Sequence, residues 1–174
     1  EGKDTAVING QESDYIFMVE NPGSTIYEAI ETSLNNGNLN NEKLLVLQKT
    51  TDPTSYIYIQ TEVIRFTNDG SWISFNQITG EISGNMINEI IVGSKLKTDL
   101  FNGGSGDDIL QGSGGQQNEF DILKGGFGND KFIIDGSNTE VTGGYGQDVF
   151  EILSLDGSLL IKDLSSSDDK IDLR

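Results

Sequence analysis

The sequence predicts a mainly β protein: a parallel β-roll (β-solenoid) of nonapeptide repeats, preceded by a β-rich N-terminal region with one short helix. Three observations predict it. Within residues 102–151 the pattern G-G-x-G-x-D-x-U-x, with U large and apolar, occurs three times, starting at Gly103, Gly125 and Gly143. Degenerate stretches at 112–124 and 134–142 separate the copies, so good repeats alternate with poor ones. Apolar residues form 34% of the chain and fall in short periodic runs, which argues for packed strands and against a disordered acidic tail.

In chain order, residues 1–80 form a β-rich capping or ligand region. Residues 14–20 are an apolar and aromatic run, closed by Asn-Pro-Gly-Ser turn chemistry at 21–24. Thr25 and Glu28 then have the form of a capping box, and Ile26, Ile30 and Leu34 recur at four-residue spacing, which predicts a short helix ending near Gly37. Residues 44–48 read as a buried strand and 55–60 as a second, rich in Tyr and Ile. Residues 62–66 and 72–75 flank Asn68-Asp69-Gly70, a hairpin signal. Arg65 reads as a strand arginine reaching solvent, Trp72 as a packing residue, and Asp52-Pro53 as a turn.

Residues 81–151 form the roll, and glycine density changes there: 13 of the 22 glycines lie between Gly103 and Gly146. Residues 84–92 and 94–102 are degenerate lead-in coils, with Glu89 and Asp99 where the pattern places its aspartate and Ile91 and Phe101 two residues later. Residues 152–174 supply C-terminal capping strands.

Composition excludes several functions. There are 11 basic and 28 acidic residues, a net charge of −17, which opposes nucleic acid and anionic membranes as partners and suits cations. Neither cysteine nor histidine occurs, so disulfides, zinc sites of the Cys/His type, a Ser-His-Asp triad and a Cys-His pair are all excluded. No apolar run approaches the roughly 18 residues of a membrane-spanning helix, and no membrane insertion is expected. The chain starts at Glu1 without a signal peptide and reads as a piece of a longer polypeptide.

The repeat itself has a physical reading. A turn that shows backbone carbonyls to a cation needs φ values that side chains penalise, which selects glycine. The aspartate that ends the turn supplies a hard anionic oxygen of the kind Ca²⁺ favours. The last three residues form a short strand with Leu110, Phe132 and Phe150 pointing inward. One nonapeptide is half a coil, so alternate good repeats stack along one edge and place Asp108, Asp130 and Asp148 in a column. At the strand spacing of roughly 4.8 Å, like charges repel by about 0.9 kcal/mol in water and about 3.5 kcal/mol at an effective dielectric of ~20. A cation between each successive pair reverses that sign, so two calcium ions are expected on this edge. Asp99 and Asp121 make a third ion a further candidate on the opposite edge. The alternative, aspartates that only hydrogen-bond their own turns, is weaker because three copies stand in stacking phase. A phosphate-cradling loop fails for want of the P-loop lysine.

The three repeats, together with residues 161–164 (Ile-Lys-Asp-Leu) and 169–173 (Asp-Lys-Ile-Asp-Leu), resemble the RTX (repeats-in-toxin) hemolysin-type β-roll and its C-terminal capping strands. Similar tails occur in serralysin-type proteases, mannuronan epimerases and large bacterial adhesins. Asp14-Tyr15 with residues 63–66 and Asp69-Gly70 resembles a strand module that often precedes such repeats. The resemblance implies ions held between repeats two apart, by both aspartates and by backbone oxygens of the glycine-rich positions. Carried over, a first site takes Gly103, Ser105 and Asp108 with Gly126, Gly128 and Asp130. A second takes Gly125, Phe127 and Asp130 with Gly144, Gly146 and Asp148, so that Asp130 bridges both. Type I secretion, a secreted or cell-surface location, and folding on calcium outside the cell are implied with it. The expected function is a non-catalytic calcium-binding module that stabilises the remainder of its parent polypeptide. The alternative is a ligand-binding module of an adhesin, with a surface glycan as partner, which Trp72, Tyr56 and Tyr58 exposed on one face would favour. An enzyme fragment is the poorest reading, since no paired carboxylates stand in an evident apolar pocket.

Overall fold

The computed structural model describes residues 5–20, 44–59, 63–68, 72–76, 81–93, 98–112, 120–136, 138–154, 156–165 and 167–174. The helix expected at 25–34, the turns at 21–24 and 69–70, and the surplus residues Gln116 to Asn118 lie outside the described residues.

The chain is mainly β and forms a parallel β-solenoid of about four turns. Its strands are β1 (Thr5–Ile8), β2 (Tyr15–Glu20), β3 (Leu44–Lys49), β4 (Asp52–Ile59), β5 (Val63–Phe66), β6 (Trp72–Phe75), β7 (Ile82–Ser83), β8 (Ile90–Val92), β9 (Leu100–Ser105), β10 (Ile109–Gly112), β11 (Phe120–Phe127), β12 (Lys131–Asp135), β13 (Asn138–Tyr145), β14 (Val149–Ser154), β15 (Leu159–Ile161) and β16 (Lys170–Leu173). Among the described residues they make two eight-stranded sheets, ordered β1-β5-β6-β7-β9-β11-β13-β15 and β4-β3-β2-β8-β10-β12-β14-β16. From β7 onward successive strands alternate between the sheets, so two nonapeptides make one coil, as the repeat length requires.

The apolar positions explain why the coils stack. On the second sheet, register places Leu47, Phe17, Ile91, Leu110, Phe132 and Phe150 in one row. On the first it aligns Phe75, Ile82, Phe101, Leu123 and Val141. All of these are buried. Phe132 and Phe150 stack face to face with centroids 5.2 Å apart. Each such side chain withdrawn from water contributes about 1.5–3 kcal/mol, and a parallel ladder repeats the gain at every coil.

Phe132 and Phe150 stand eighteen positions apart, two nonapeptides, whereas Leu110 and Phe132 stand twenty-two apart. The surplus falls, in sequence, between Gly112 and Phe120, and the register still pairs Leu110 with Phe132. The N-terminal strands extend the same sheets: β2 pairs in parallel with β8, and the antiparallel β5–β6 and β6–β7 pairs lead into β9. The hairpin expected at 62–75 is therefore present as β5 and β6.

Candidate metal centre

Each good repeat begins at the end of a first-sheet strand and turns into the second sheet. Register aligns Gly104, Gly126 and Gly144, and likewise Ser105, Phe127 and Tyr145, so the three turns stack on one edge as the phasing predicts. The glycines at the second and fourth positions take positive φ, +119° at Gly126 and +132° at Gly128. A Cβ there would overlap the carbonyl oxygens of Gly104 and Gly106 on the preceding coil. These positions are glycine because backbone passes backbone at contact distance.

The aspartates form a buried column. Asp108, Asp130 and Asp148 are each 1% exposed. In each, Oδ1 accepts a backbone N–H from the preceding coil: Glu89 N to Asp108 at 2.8 Å, Asp108 N to Asp130 at 2.9 Å, and Asp130 N to Asp148 at 2.9 Å. Asp169 continues it, accepting from Asp148 N at 3.0 Å. The other oxygen has a different environment. Asp108 Oδ2 and Asp130 Oδ2 are buried with no N–H or hydroxyl donor, as is Glu89 Oε2, and the Asp108 and Glu89 carboxyls adjoin one another. Each Oδ2 faces the first glycine of its own repeat, where a Cβ would collide with it. The same absent Cβ would sit 2.9 Å from Gly125 O at Gly103, and 2.6 Å from Gly143 O at Gly125. A carboxylate oxygen and the next coil's carbonyl therefore face one cradle that only glycine leaves open.

An unpartnered buried carboxylate oxygen is costly unless something neutralises it. A hard cation with oxygen ligands fits that requirement. Among the described residues no three acidic side chains form a ready-made cage. A cation here would thus rely on the paired aspartates of adjacent coils and on backbone carbonyls.

The electrostatics agree with this. Burial pushes Asp130 up to about 7, with the charges of Asp108, Asp148 and Asp107 acting in the same direction against the Asp108 N–H. Asp108 and Asp148 are raised too, burial again being the largest cause. Burial, then the adjoining Glu12 and Asp108 carboxyls, pushes Glu89 up to about 11. A pH dependence follows. Above its ordinary value of 3.8, the unfolded chain has released the Asp130 proton while the folded, metal-free chain keeps it until about 7. The folded state binds more protons in that window, so its stability falls as pH rises through it. Thermal melts in chelator should thus show a lower melting temperature at pH 8 than at pH 5. Asp130→Asn should flatten the slope in chelator; an unchanged slope would assign it to other groups.

The predicted site residues are brought together, with differences in role. Gly103, Gly125 and their cradles lie on the buried column, as do Asp108, Asp130 and Asp148. Gly126, Gly128, Gly144 and Gly146 give the close approach between coils. The Phe127 carbonyl already accepts the Gly106 N–H at 2.8 Å, leaving one lone pair for a cation. The Ser105 position continues outward into the stacked, exposed rings of Phe127 and Tyr145, 5.0 Å apart. Sequence reasoning missed Gly143 O, although it belongs to the first glycine of the third repeat. It also missed an outer ladder in which Asn88, Asp107 and Asn129 accept the N–H of Asp107, Asn129 and Gln147 at 2.7–2.9 Å.

On the opposite edge Asp121 Oδ1 accepts the Asp99 N–H at 3.1 Å, and register puts Thr139 next to Asp121. The acidic column there stops after two members because threonine carries no charge. Elsewhere, Trp72 on the first sheet and Tyr56 and Tyr58 on the second are exposed, so Trp72 does not share their sheet. Arg65 is exposed, and the Asp52 carboxylate holds Thr54 and Ser55 at the start of β4. Comparison of the chain with protein-family models, curated proteins and solved structures finds no match.

Proposed function

We propose that this chain is a calcium-binding module of the RTX type, part of a secreted or cell-surface bacterial protein, that folds on calcium outside the cell and stabilises the polypeptide it belongs to. The observation that carries this is the file of buried, unpartnered oxygens at Asp108 and Asp130, each facing a glycine cradle shared with the next coil's carbonyl. Asp108, Asp130 and Asp148 would hold two ions with backbone oxygens from Gly103, Ser105, Gly125, Gly126, Phe127, Gly128, Gly144 and Gly146. Bound calcium supplies the positive charge that the column lacks. Without it, burial of successive carboxylates opposes folding, which suits a chain that must stay open until it meets calcium.

Extracellular calcium modules bind with dissociation constants of about 10⁻⁴–10⁻³ M, and a ligand at a hundred times its dissociation constant stabilises the folded state by about 2.7 kcal/mol per site. Circular dichroism and thermal melting in EGTA and in millimolar calcium test the proposal. A cooperative β fold with a raised melting temperature is expected in calcium, and a largely unfolded or low-melting chain in EGTA. Identical spectra and melts in the two media would refute it. The glycan-binding alternative asked for Trp72, Tyr56 and Tyr58 on one face; Tyr56 and Tyr58 stack on β4, but Trp72 lies on the other sheet.

A further inference from the structure

The leading coil has the same cradle without the motif. Between β7 and β8 the chain runs from Gly84 to Glu89, and Gly84 stands to Glu89 as Gly125 stands to Asp130. A Cβ on Gly84 would lie 2.6 Å from Glu89 Oε2 and would crowd the Gly103 carbonyl oxygen. Glu89 is 1% exposed; its Oε2 has no N–H or hydroxyl donor, and its carboxyl adjoins those of Glu12 and Asp108. Asp108 is the next member of the column, bound to the Glu89 N–H. Among the described residues neither Glu89 nor Asp108 pairs with a lysine or arginine.

One residue here has no counterpart in the other coils. Glu12, fully buried, comes from the 3-10 turn Glu12–Asp14 that leads into β2. Its Oε2 accepts from Asn85 Nδ2 at 3.2 Å, and Asn85 N in turn reaches Glu89 Oε1 at 3.4 Å. The Glu12 carboxyl adjoins that of Glu89. Glu89, in the leading coil, thus lies between two other buried acids at the join between cap and roll, Glu12 of the N-terminal cap on one side and Asp108 of the first full repeat on the other.

We propose that this join binds one further divalent cation, through the carboxylates of Glu89 and Asp108 and the Gly103 carbonyl, with Glu12 as a positioning residue behind Glu89. The inference rests on the calcium reading and deepens it: cation binding fastens the N-terminal strands to the roll, because Glu12 and β2 are held against the coil that carries Glu89. Glu89 replaces the aspartate of the pattern, and its longer side chain is matched by the second acid behind it.

Native mass spectrometry of the whole chain in calcium, paired with hydrogen exchange, tests it. The wild type should bind one more ion than Glu89→Gln, which keeps the shape of the side chain and removes its charge. Calcium should slow exchange of the β2 amides paired with β8 in the wild type, and of β12 amides in both proteins. Glu12→Gln should keep the ion count but need about ten-fold more calcium to protect β2. Equal ion counts in wild type and Glu89→Gln, with β12 protected in both, would overturn this site and leave the repeat edge standing. A wild type that binds no calcium would overturn both. If Glu89→Gln lost β12 protection, Glu12→Gln would decide: calcium protection of β2 at the wild-type concentration would overturn the site.

Discussion

Asp130→Ala is expected to lower the melting temperature by roughly 10–20 °C in calcium at about a hundred times its dissociation constant, and to change it little, or raise it, in EGTA. Two effects separate by medium. In calcium the substitution removes the carboxylate shared by both expected repeat-edge ions; two sites at about 2.7 kcal/mol each, and about 2–4 °C per kcal/mol for a chain of this size, give that range. In EGTA the same substitution removes a buried acid whose ionisation opposes folding. Against that gain stands the loss of the acceptor for the buried Asp108 N–H, a penalty of about 1–3 kcal/mol. Asp148→Ala should cost one ion. Asp108→Ala separates two versions of the column: it resembles Asp130→Ala if the leading coil also holds a cation, and Asp148→Ala if it does not. Melts of the three variants in both media make the comparison. An equal drop for Asp130→Ala in calcium and EGTA would reduce Asp130 to a hydrogen-bonding role.

Gly128→Ala is expected to destabilise the chain by about 3–5 kcal/mol, whether or not calcium is present. At φ +132° an alanine is strained, and its Cβ would overlap the Gly106 carbonyl oxygen and lie 3.2 Å from Asp107 Oδ1. The obstacle is backbone, so relief requires the two coils to separate. That separation also spreads Asp108 from Asp130, so calcium affinity should fall together with stability. Gly136→Ala is the matched control. Its φ is +82°, but its Cβ would meet only side-chain oxygens, Ser154 Oγ at 3.0 Å and Asp156 Oδ2 at 3.6 Å, and it stands off the aspartate edge. It should cost about 1–2 kcal/mol and leave calcium affinity unchanged. Urea unfolding and calcium titration of both variants provide the measurement. A Gly128→Ala protein as stable as the wild type would show that the coils are not held at backbone contact.

Much of the repeat edge was legible in the sequence because its requirements are local. Gly126 and Gly128 announce positive φ, Asp130 marks the end of the turn, and Phe132 two residues later marks the inward side. Counting half-coils then aligned Asp108, Asp130 and Asp148, and the surplus between Gly112 and Phe120 did not disturb that alignment. Glu89 was legible only as a degenerate aspartate position, since nothing in residues 84–89 beyond Gly84 repeats the glycine pattern. Glu12 was not legible at all. It follows no repeat, and an isolated acidic residue ahead of a strand ordinarily faces water. The ladder of Asn88, Asp107, Asn129 and Gln147 was hidden for another reason: the pattern leaves its fifth position open, and only stacking shows that short polar side chains there take the next coil's N–H.

The sequence alone determined the coil: its nine-residue half-period, the side on which the good turns stack, and the inward apolar rows. Those follow from sterics and periodicity within a few residues. Only the tertiary structure decided which carboxylate oxygens are buried without partners, that the N-terminal strands continue both sheets, and that Glu12 closes on Glu89. Burial and pairing of those groups depend on contacts between segments far apart in the chain, and no local pattern encodes such contacts.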